Sequence, residues 1–271
     1  MGILYVVGTP IGNLEDLTLR ALRVLGEVTL IAAEDTRKAR ILLDHYGVRT
    51  RVTSFFEGNE QRKLEPLLTA LEHGDVALIS DAGMPGISDP GYSLVRAAVD
   101  AGITVVPVPG PSALIAALAA SGLPTDRFMF LGFLPRKASE QRALLQGVAA
   151  VRATLVCYES PRRVAATLAM LHQVLGNRSV VLCRELTKLH EEFWRGDLEG
   201  ALAFLQAQPP RGEFTLVIGG ASTAATLWEE SQVRAAMMER LQQGLSRSQA
   251  AREVAALSGW ARREIYALAD K

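Results

Sequence analysis

The chain has 271 residues, of which 49% are hydrophobic and 21% charged, and its formal net charge at pH 7 is zero. This composition excludes an intrinsically disordered protein, and the length indicates one large or two modest domains. Zero net charge excludes a globally basic nucleic-acid-binding protein but leaves room for a local basic face.

Short apolar runs alternate with helical patterns over the first 113 residues. The predicted strands are 3–7, 28–33, 51–55, 76–79 and 103–106. The predicted helices are 18–25, 59–72 and 92–101. Another predicted helix follows residues 34–37 and ends at residue 46. Strands that alternate with helices of about ten residues predict βαβ units and a mostly parallel sheet for residues 1–113.

A second α/β series follows the turn at 107–111 and covers residues 114–221. The predicted strands are 128–131, 153–158, 180–183, 191–197 and 214–218. The predicted helices are 112–120, 139–149, 160–175 and 198–206. Because 191–197 alternates, it is expected to be antiparallel and to make this sheet mixed.

Residues 222–271 differ in character from the rest of the chain. Helices are predicted at 233–244, 248–257 and 262–269, with Gly259 between the last two. Two short helices around a glycine-containing turn resemble a helix-turn-helix. The other interpretation is a helical cap that only packs on the second domain.

The stretch from Ser80 to Gly91 is the most informative loop, because it lies between a predicted buried strand and a predicted helix. It holds several glycines and prolines together with Asp81 and Asp89. Glycine allows close backbone approach to a ligand, and loops at the carboxyl ends of parallel strands bind ligands. The loop is therefore predicted to form the floor of a small-molecule site, rather than an ordinary long connection.

Several other classes of site lack support. Cys157 and Cys183 lie in separate apolar runs, and the four histidines show no ligand spacing, so no metal site is predicted. The N-terminus does not resemble a signal peptide. Residues 101–125 carry no charge, but prolines divide them, so a strand, a turn and a helix are expected instead of a membrane span. A cytoplasmic location is the resulting expectation.

The sequence also lacks the common nucleotide-binding fingerprints. No Gly-Lys-Ser/Thr phosphate loop occurs, and Gly8 and Gly12 are too widely spaced for a dinucleotide fingerprint. Glu34 and Asp35 do stand where a ribose-binding acid would lie, so a nicotinamide-dependent oxidoreductase stays open as a distant alternative.

Four segments in order carry a resemblance to a known family: 4–16, 80–91, 109–113 and 158–163. Together they resemble the tetrapyrrole-methylase superfamily and, more narrowly, its ribosomal-RNA branch, the 16S rRNA (cytidine-2′-O)-methyltransferases. The resemblance implies two α/β domains with S-adenosylmethionine in the cleft between them, plus a small C-terminal helical segment. It also implies a homodimer that methylates a ribose of a cytidine in the decoding region of small-subunit ribosomal RNA or of a 30S particle.

The resemblance also implies a set of cofactor-binding residues. Those of the first domain are Pro10, Asp81, Gly83, Met84, Ser88, Pro111, Ser112, Ala113 and Leu114. Those of the second are Leu131, Tyr158, Leu186, Phe214 and Thr215. For the apolar members, ordinary core packing is the alternative role.

A ribose hydroxyl is a weak nucleophile, so a nearby carboxylate should assist by accepting its proton. The candidates are Glu60, Asp35 and Asp89, each of which could instead stabilise a helix N-terminus. Glu60 is the preferred candidate for orienting or deprotonating the hydroxyl.

RNA requires a positive surface, and basic residues recur just after predicted strands, where they would share one edge of a parallel sheet. They are Arg37, Lys38, Arg40, Arg136, Lys137, Arg162, Arg163 and Lys188. The alternative is scattered solvated charge. Phe55 and Phe56 are candidates for stacking on a base or for burial in the core.

Two further functional hypotheses compete with ribose methylation. A methyltransferase of tetrapyrrole precursors would need neither the basic rim nor the C-terminal helices. A non-enzymatic RNA-binding or ribosome-assembly module would use the terminal helices and would not retain S-adenosylmethionine.

Overall fold

The computed structural model describes residues 2–222 and 228–268. These residues divide into two compact units. The larger comprises the chain up to 149 together with 153–219, and the smaller comprises 150–152 and the chain from 220 onward.

The larger unit contains two five-stranded sheets, of which the first is entirely parallel. Its strands are β1 (Ile3–Val7), β2 (Leu30–Ala33), β3 (Val52–Ser54), β4 (Val76–Ile79) and β5 (Thr104–Val108), in the order β3-β2-β4-β1-β5. The helices that accompany them are α1 (Leu19–Glu27), α2 (Thr36–His45), α3 (Glu60–His73), α4 (Tyr92–Asp100) and α5 (Ala113–Ser121). The predicted parallel sheet of βαβ units is confirmed.

The second sheet is mixed, as predicted. Its strands are β6 (Phe128–Phe133), β7 (Thr154–Glu159), β8 (Ser179–Arg184), β9 (Glu192–Asp197) and β10 (Phe214–Ile218), in the order β6-β7-β10-β8-β9. Only β6 and β7 pair in parallel, and the predicted antiparallel strand is β9, which pairs with β8. The helices of this part are α6 (Ala138–Gly147), α7 (Val164–Leu175) and α8 (Leu198–Ala207).

The first sheet is buried on both faces, which is why its strands are continuous apolar runs rather than alternating ones. On β4, Ala77 and Ile79 belong to a core cluster with residues of α1 and α2. Val76 and Leu78 belong to a second cluster with residues of α3 and α4. Burial on both faces leaves the ends of the strands as the place where a ligand can enter.

The predicted start of the helix at 160–175 is wrong, because α7 begins at Val164 and not at Ser160. The backbone N–H groups of Arg163 and Val164 both donate to the Ser160 carbonyl, so residues 161–163 form a turn ahead of the helix. The turn keeps Ser160 and Pro161 at the end of β7, where they are available to a site.

The smaller unit contains α9 (Glu230–Gln242), α10 (Arg247–Ser258) and α11 (Arg262–Leu268), so the three predicted helices are present, although α9 begins three residues before the predicted start at 233. Val233, Met237, Ala250, Val254 and Ile265 form its core. Residues 223–227 and 269–271 of the predicted segment 222–271 lie outside the described residues, as does the predicted helix end at Ala269. None of the helices in the described ranges combines the length and apolar character that a bilayer crossing needs.

Candidate functional site

The loop after β4 is tied to the loop after β1, its neighbour in the first sheet. Thr9 and Gly83 exchange two backbone hydrogen bonds, of 2.9 and 3.0 Å. Gly83 has a φ of 80° and Ser88 a φ of 63°, in the left-handed region. A serine in that region is strained, and such strain is concentrated where a backbone is held for a function.

A cavity of about 420 Å³ opens beside this loop, between residues of the first sheet and residues of the second. The first-sheet side is formed by loop residues and by the start of α5. The second-sheet side is formed by the ends of β6, β7 and β8 and the start of β10. The lining residues are Ile11, Ala82, Gly83, Met84, Ile87, Ser88, Asp89, Ser112, Ala113, Phe133, Tyr158, Glu159, Ser160, Pro161, Cys183, Leu186, Glu213, Phe214 and Thr215.

Close backbone approach shapes the cavity, and Gly8 is the position where it matters most. A Cβ on Gly8 would lie 2.7 Å from the Gly110 Cα and 2.7 Å from the Met84 sulfur. No side chain fits there, so the glycine lets the turn after β5 and the loop after β4 close around the end of β1.

A second strained segment supplies the opposite wall. Glu185 and Thr187 have φ values of 51° and 66°, and Leu186 between them is buried and lines the cavity. Lys188 holds this turn through ion pairs of 2.9 Å to Glu185 and to Glu213. The turn therefore holds the Leu186 side chain against the first cavity, although Glu185 and Thr187 adopt unfavourable backbone conformations.

Apolar atoms provide most of the lining surface of the cavity, and several polar side chains are fixed within it. The Tyr158 hydroxyl accepts a hydrogen bond of 3.1 Å from the backbone N–H of Leu114, and burial raises the pKa of this tyrosine. Burial also raises the pKa of the Cys183 thiol to about 12, so it stays neutral. An apolar space with a few fixed polar groups is typical of a small-molecule site.

Asp89 is the carboxyl that stands out electrostatically. Burial, reinforced by the nearby Glu34 and Asp81 charges and opposed by a bond with the Ser80 hydroxyl, raises its pKa from 3.8 to about 6. Its charge also contributes to the raised pKa of Tyr158, which places it near the tyrosine. A carboxyl with a pKa close to neutrality can both accept and release a proton at working pH.

A second cavity, of about 570 Å³, adjoins the first and shares Ser88 and Asp89 with it. Its lining is acidic and aromatic: Glu34, Phe56, Glu57, Glu60, Ser88, Asp89, Pro90, Gly91, Tyr92 and Ser93. Asp89 therefore stands at the junction of two spaces, one mainly apolar and the other carboxylate-rich.

The structure brings together most, but not all, of the residues predicted to hold a cofactor. Nine line the first cavity: Gly83, Met84, Ser88, Ser112, Ala113, Tyr158, Leu186, Phe214 and Thr215. Five do not: Pro10, Asp81, Pro111, Leu114 and Leu131. Of these, Asp81 is engaged elsewhere, because it accepts from the Asp35 N–H and pairs with Lys38 at 2.8 Å.

Sequence reasoning missed a further group of lining residues. Ile11, Phe133, Glu159, Ser160, Pro161 and Glu213 are among them. All lie at or just beyond the end of a strand or at the start of one. Their position relative to the predicted strands could therefore have identified them as residues of the site.

The three catalytic candidates occupy different environments. Asp35 caps α2 and pairs with Arg37, whose hydrogen bonds lower the pKa of this aspartate to about 2. Glu60 uses both carboxylate oxygens, accepting from the Gly91 N–H at 3.2 Å and from the Ser93 hydroxyl at 2.7 Å. Of the three, only Asp89 lines both cavities.

The predicted basic residues divide into paired and unpaired groups. Arg163 donates to the carbonyls of Leu134 and Pro135 at 2.9 Å each and thereby joins the loops after β6 and β7. Ion pairs engage Arg37, Lys38, Arg40, Lys137 and Lys188. Arg136 and Arg162 are exposed, and the structure gives their side chains no partner among residues 2–222 and 228–268.

The geometry defines an α/β protein with two sheets and a cofactor-sized cavity where the two meet. Residues 3–202 match the family described as Tetrapyrrole (Corrin/Porphyrin) Methylases, and residues 233–270 match the RsmI C-terminal HTH domain. The chain therefore belongs to the tetrapyrrole methylase family.

Relatives and solved structures are similar over most of the chain. Ribosomal RNA small subunit methyltransferase I of Synechocystis is 48% identical over 99% of this chain and 97% of its own. The protein of that name from Halalkalibacterium halodurans is 45% identical over 98% of this chain and 93% of its own. Uroporphyrin-III C-methyltransferase of Thermus thermophilus, solved with S-adenyl homocysteine, has a TM-score of 0.55 at 20% identity over 80% of this chain and 97% of that one. At that identity the structure supports the fold alone.

Proposed function

We propose that this protein transfers a methyl group from S-adenosylmethionine to the ribose 2′-oxygen of a cytidine in the decoding region of small-subunit ribosomal RNA. The names of the relatives support small-subunit ribosomal RNA as the substrate. The observation that carries the proposal is the junction at Asp89, where a cavity of cofactor size meets a second cavity.

The first cavity has the chemistry that S-adenosylmethionine requires. Phe133, Ile11 and Leu186 provide an apolar wall for the adenine ring. Glu213 pairs with Lys188 through Oε2, and its Oε1 is available to the cationic amino group of the cofactor, which carries no phosphate. The absence of a phosphate-binding loop from the sequence is consistent with such a ligand.

The bound cofactor supplies an electrophilic methyl group on a sulfonium. Transfer of this methyl group to O2′ would break the S–CH3 bond and release S-adenosylhomocysteine, and the Asp89 carboxylate would accept the 2′-hydroxyl proton. In this mechanism the chain contributes in two ways. The strained turns at Ser88 and Leu186 fix the cavity walls and hence the approach geometry, and Asp89 accepts the proton.

Glu60, the preferred candidate on sequence grounds, takes a positioning role in this proposal. Its bonds to Gly91 and Ser93 hold the loop that follows Asp89 against the start of α4. Both its oxygens are occupied, so its lone pairs are less available to a hydroxyl proton than those of Asp89.

The RNA backbone is proposed to follow the loops after β6 and β7, where Arg136 and Arg162 are exposed. These loops adjoin the first cavity through Phe133 and Pro161. A chain of zero net charge can in this way present cations at the mouth of its site.

Radiolabelled S-adenosylmethionine tests the proposal directly. The protein is incubated separately with small ribosomal subunits from cells lacking the gene, with naked small-subunit RNA, and with a tetrapyrrole precursor. Label in RNA that makes one linkage resistant to alkali is expected, because 2′-O-methylation blocks cleavage at that ribose. Label in the tetrapyrrole alone would overturn the substrate, and no label anywhere would favour the non-enzymatic RNA-binding hypothesis.

A homodimer is part of the same proposal. Strand β6 lies at an edge of the second sheet, and it exposes Phe128 and Met129. Exposed apolar side chains on an edge strand favour coverage by another chain. Sedimentation equilibrium is expected to give twice the chain mass, and a concentration-independent monomer would contradict this part.

A further inference from the structure

We propose that the second cavity receives the base of the target nucleoside as an extruded cytosine, stacked on Phe56 and recognised at its exocyclic amine by the Glu57 carboxylate. The inference rests on the proposed ribose methylation and adds to it the determinant of base identity.

The connection between the two cavities gives the first argument. They share Ser88 and Asp89, so a ribose whose 2′-oxygen reaches Asp89 stands at their junction. The base is attached to the carbon next to the one that carries the 2′-oxygen, and it must therefore occupy space adjoining Asp89. The first cavity is taken by the cofactor in the proposed reaction, which leaves the second for the base. Sequence-specific RNA recognition commonly places an unstacked base in such a pocket.

The contrast between two adjacent phenylalanines gives the second argument. Phe55 is fully buried in the core, whereas 44% of the Phe56 surface is exposed, and Phe56 lines the second cavity. The backbone of Phe56 is held by a bond from its N–H to Asn59 Oδ1 at 2.9 Å and by a bond from the Asn59 N–H to its carbonyl at 2.8 Å. An exposed aromatic ring on a fixed turn provides a stacking surface for a base.

Gly58 contributes to this surface. A Cβ at Gly58 would lie 2.9 Å from Cε2 of the Phe56 ring. The glycine thus lets the ring lie against its own turn and keeps one ring face available to the cavity.

The carboxylates of the cavity give the third argument, because they differ in what they already bind. Glu60 is engaged on both oxygens, and one oxygen of Glu34 accepts from the Asp81 N–H at 3.2 Å. Glu57 lines the cavity, and within the described part of the chain its carboxylate has no hydrogen-bond or ion-pair partner. Among the four carboxylates that line the cavity, Glu57 is the one with no partner on either oxygen within the described residues.

An acidic wall in an RNA-binding protein repels phosphate, so this cavity favours a base that carries hydrogen-bond donors. Cytosine presents an N4 amine, which pairs with a carboxylate, whereas uracil presents the O4 carbonyl, which a carboxylate repels. A metal ion is a less suitable occupant, because no three potential ligands among the residues described here converge on one point.

The test compares base preference. The modified position is first mapped by its alkali-resistant linkage, and unmethylated 30S subunits are then prepared with cytidine or uridine there. Methyl transfer is measured for the wild type, Glu57→Gln, Phe56→Ala, Phe56→Trp and the control Glu65→Gln, an exposed carboxylate on α3 that lines neither cavity.

Glu57→Gln is expected to narrow the preference for cytidine over uridine at least tenfold in kcat/KM, because an amide can donate to O4 as well as accept from N4. Phe56→Ala is expected to raise KM about tenfold, and Phe56→Trp, which keeps an aromatic face for stacking, to raise KM less than Phe56→Ala does. Fluorescence anisotropy adds a binding measurement: Phe56→Ala should weaken binding of a short RNA carrying the target cytidine but not of its abasic counterpart. Cofactor affinity by calorimetry should be unchanged in all variants, which shows that they fold.

The inference is overturned if Glu57→Gln keeps the same cytidine preference as Glu65→Gln, or if Phe56→Ala binds the target as the wild type does. Those results leave the proposed function standing, because the wild type still methylates RNA. If the wild type transfers no label to any RNA, the proposed function itself fails and this inference fails with it.

Discussion

The Tyr158 hydroxyl accepts a hydrogen bond of 3.1 Å from the backbone N–H of Leu114, and this bond links β7 of the second sheet to the first turn of α5. The first N–H groups of a helix have no partner within the helix, and the Ser112 side chain, at the N-cap of α5, makes no capping bond. Tyr158 therefore supplies from another strand the acceptor that the cap residue does not. The same side chain lines the first cavity, so one contact serves both the helix end and the cavity wall.

Replacement of Tyr158 by phenylalanine is expected to destabilise the fold and weaken cofactor binding. The Leu114 N–H loses its acceptor in a partly buried position, which costs about 1–3 kcal/mol of unfolding free energy. Cofactor affinity should fall because the start of α5 is no longer fixed. Urea unfolding and calorimetric titration with S-adenosylmethionine measure the two effects.

Tyr5→Phe is the matched control. Tyr5 is partly buried in β1, and its hydroxyl has no hydrogen-bond partner in the ranges that the structure describes. Its removal should leave both measurements within error of the wild type. Equal effects of the two substitutions would contradict the role given to the Tyr158 contact.

Asp89 gives the reaction a predicted pH dependence. Burial raises the pKa of its carboxyl from 3.8 to about 6, so as pH rises through 6 the carboxylate that accepts the proton becomes populated. The single-turnover rate is expected to rise across that range and then level off. Asp89→Asn should lower the rate by roughly 10²-fold or more, in line with the loss of a general base, and should abolish this pH step. A step that persists in Asp89→Asn would assign it to another group.

The raised pKa of Asp89 also predicts that the unfolding free energy falls as pH rises, whereas the reaction rate rises. Because its pKa is higher in the folded than in the unfolded state, the folded state binds more protons between about pH 4 and 6. The contribution of Asp89 to stability is therefore greatest below pH 4 and is lost as pH rises to 6. Asp89→Asn should show a smaller fall in unfolding free energy across this window. Urea unfolding at pH 4.5 and 7 compares the two proteins, and parallel curves would contradict the raised pKa.

Gly8 and Gly26 form a pair of glycine substitutions with opposite expected effects. A Cβ at Gly8 would collide with the Gly110 backbone and the Met84 sulfur, both at 2.7 Å, so Gly8→Ala must shift the turn after β5 or the loop after β4, and it should destabilise the fold and weaken cofactor binding. Gly26 lies within α1 with nothing within 4 Å of its Cβ position, so Gly26→Ala should stabilise the fold by about 0.5–1 kcal/mol. Thermal unfolding and cofactor titration distinguish them, and a Gly8→Ala variant with wild-type cofactor affinity would contradict the close-packing argument.

The parallel sheet was predictable because each strand is a short apolar run, and the loop after β4 was predictable because glycine and proline are concentrated in it. The residues that line the cavity were only partly predictable. Ser160 and Pro161 reach it because α7 starts at Val164, and that start depends on backbone bonds to the Ser160 carbonyl, which no local pattern of residue types specifies. Asp81 has the residue type expected of a ligand contact, yet Lys38, which is distant in sequence, engages it.

The basic residues illustrate the same limit. Arg136 and Arg163 look equivalent in sequence, since both follow a strand. In the fold, Arg163 donates to two carbonyls of the loop that carries Arg136, whereas Arg136 remains exposed. Whether a cation is available to RNA therefore depends on contacts between segments that the sequence does not place side by side.

This difference leads to a prediction about salt dependence. Arg136→Ala and Arg162→Ala should each weaken RNA binding and reduce the slope of log K against log salt by about 0.7–0.9, the amount expected for one lost phosphate contact. Arg163→Ala should instead lower the unfolding free energy, because two backbone carbonyls lose their donor.

Arg20→Ala serves as the control, because Arg20 is exposed on α1 and lines neither cavity. Filter binding of a decoding-region RNA from 50 to 200 mM salt gives the slopes, and urea unfolding gives the stabilities. If the slopes for Arg136→Ala and Arg162→Ala equal the slope for Arg20→Ala, the loops after β6 and β7 do not contact the RNA backbone. The acidic second cavity would then need another source of phosphate contacts, since its own carboxylates supply only repulsion to the RNA backbone.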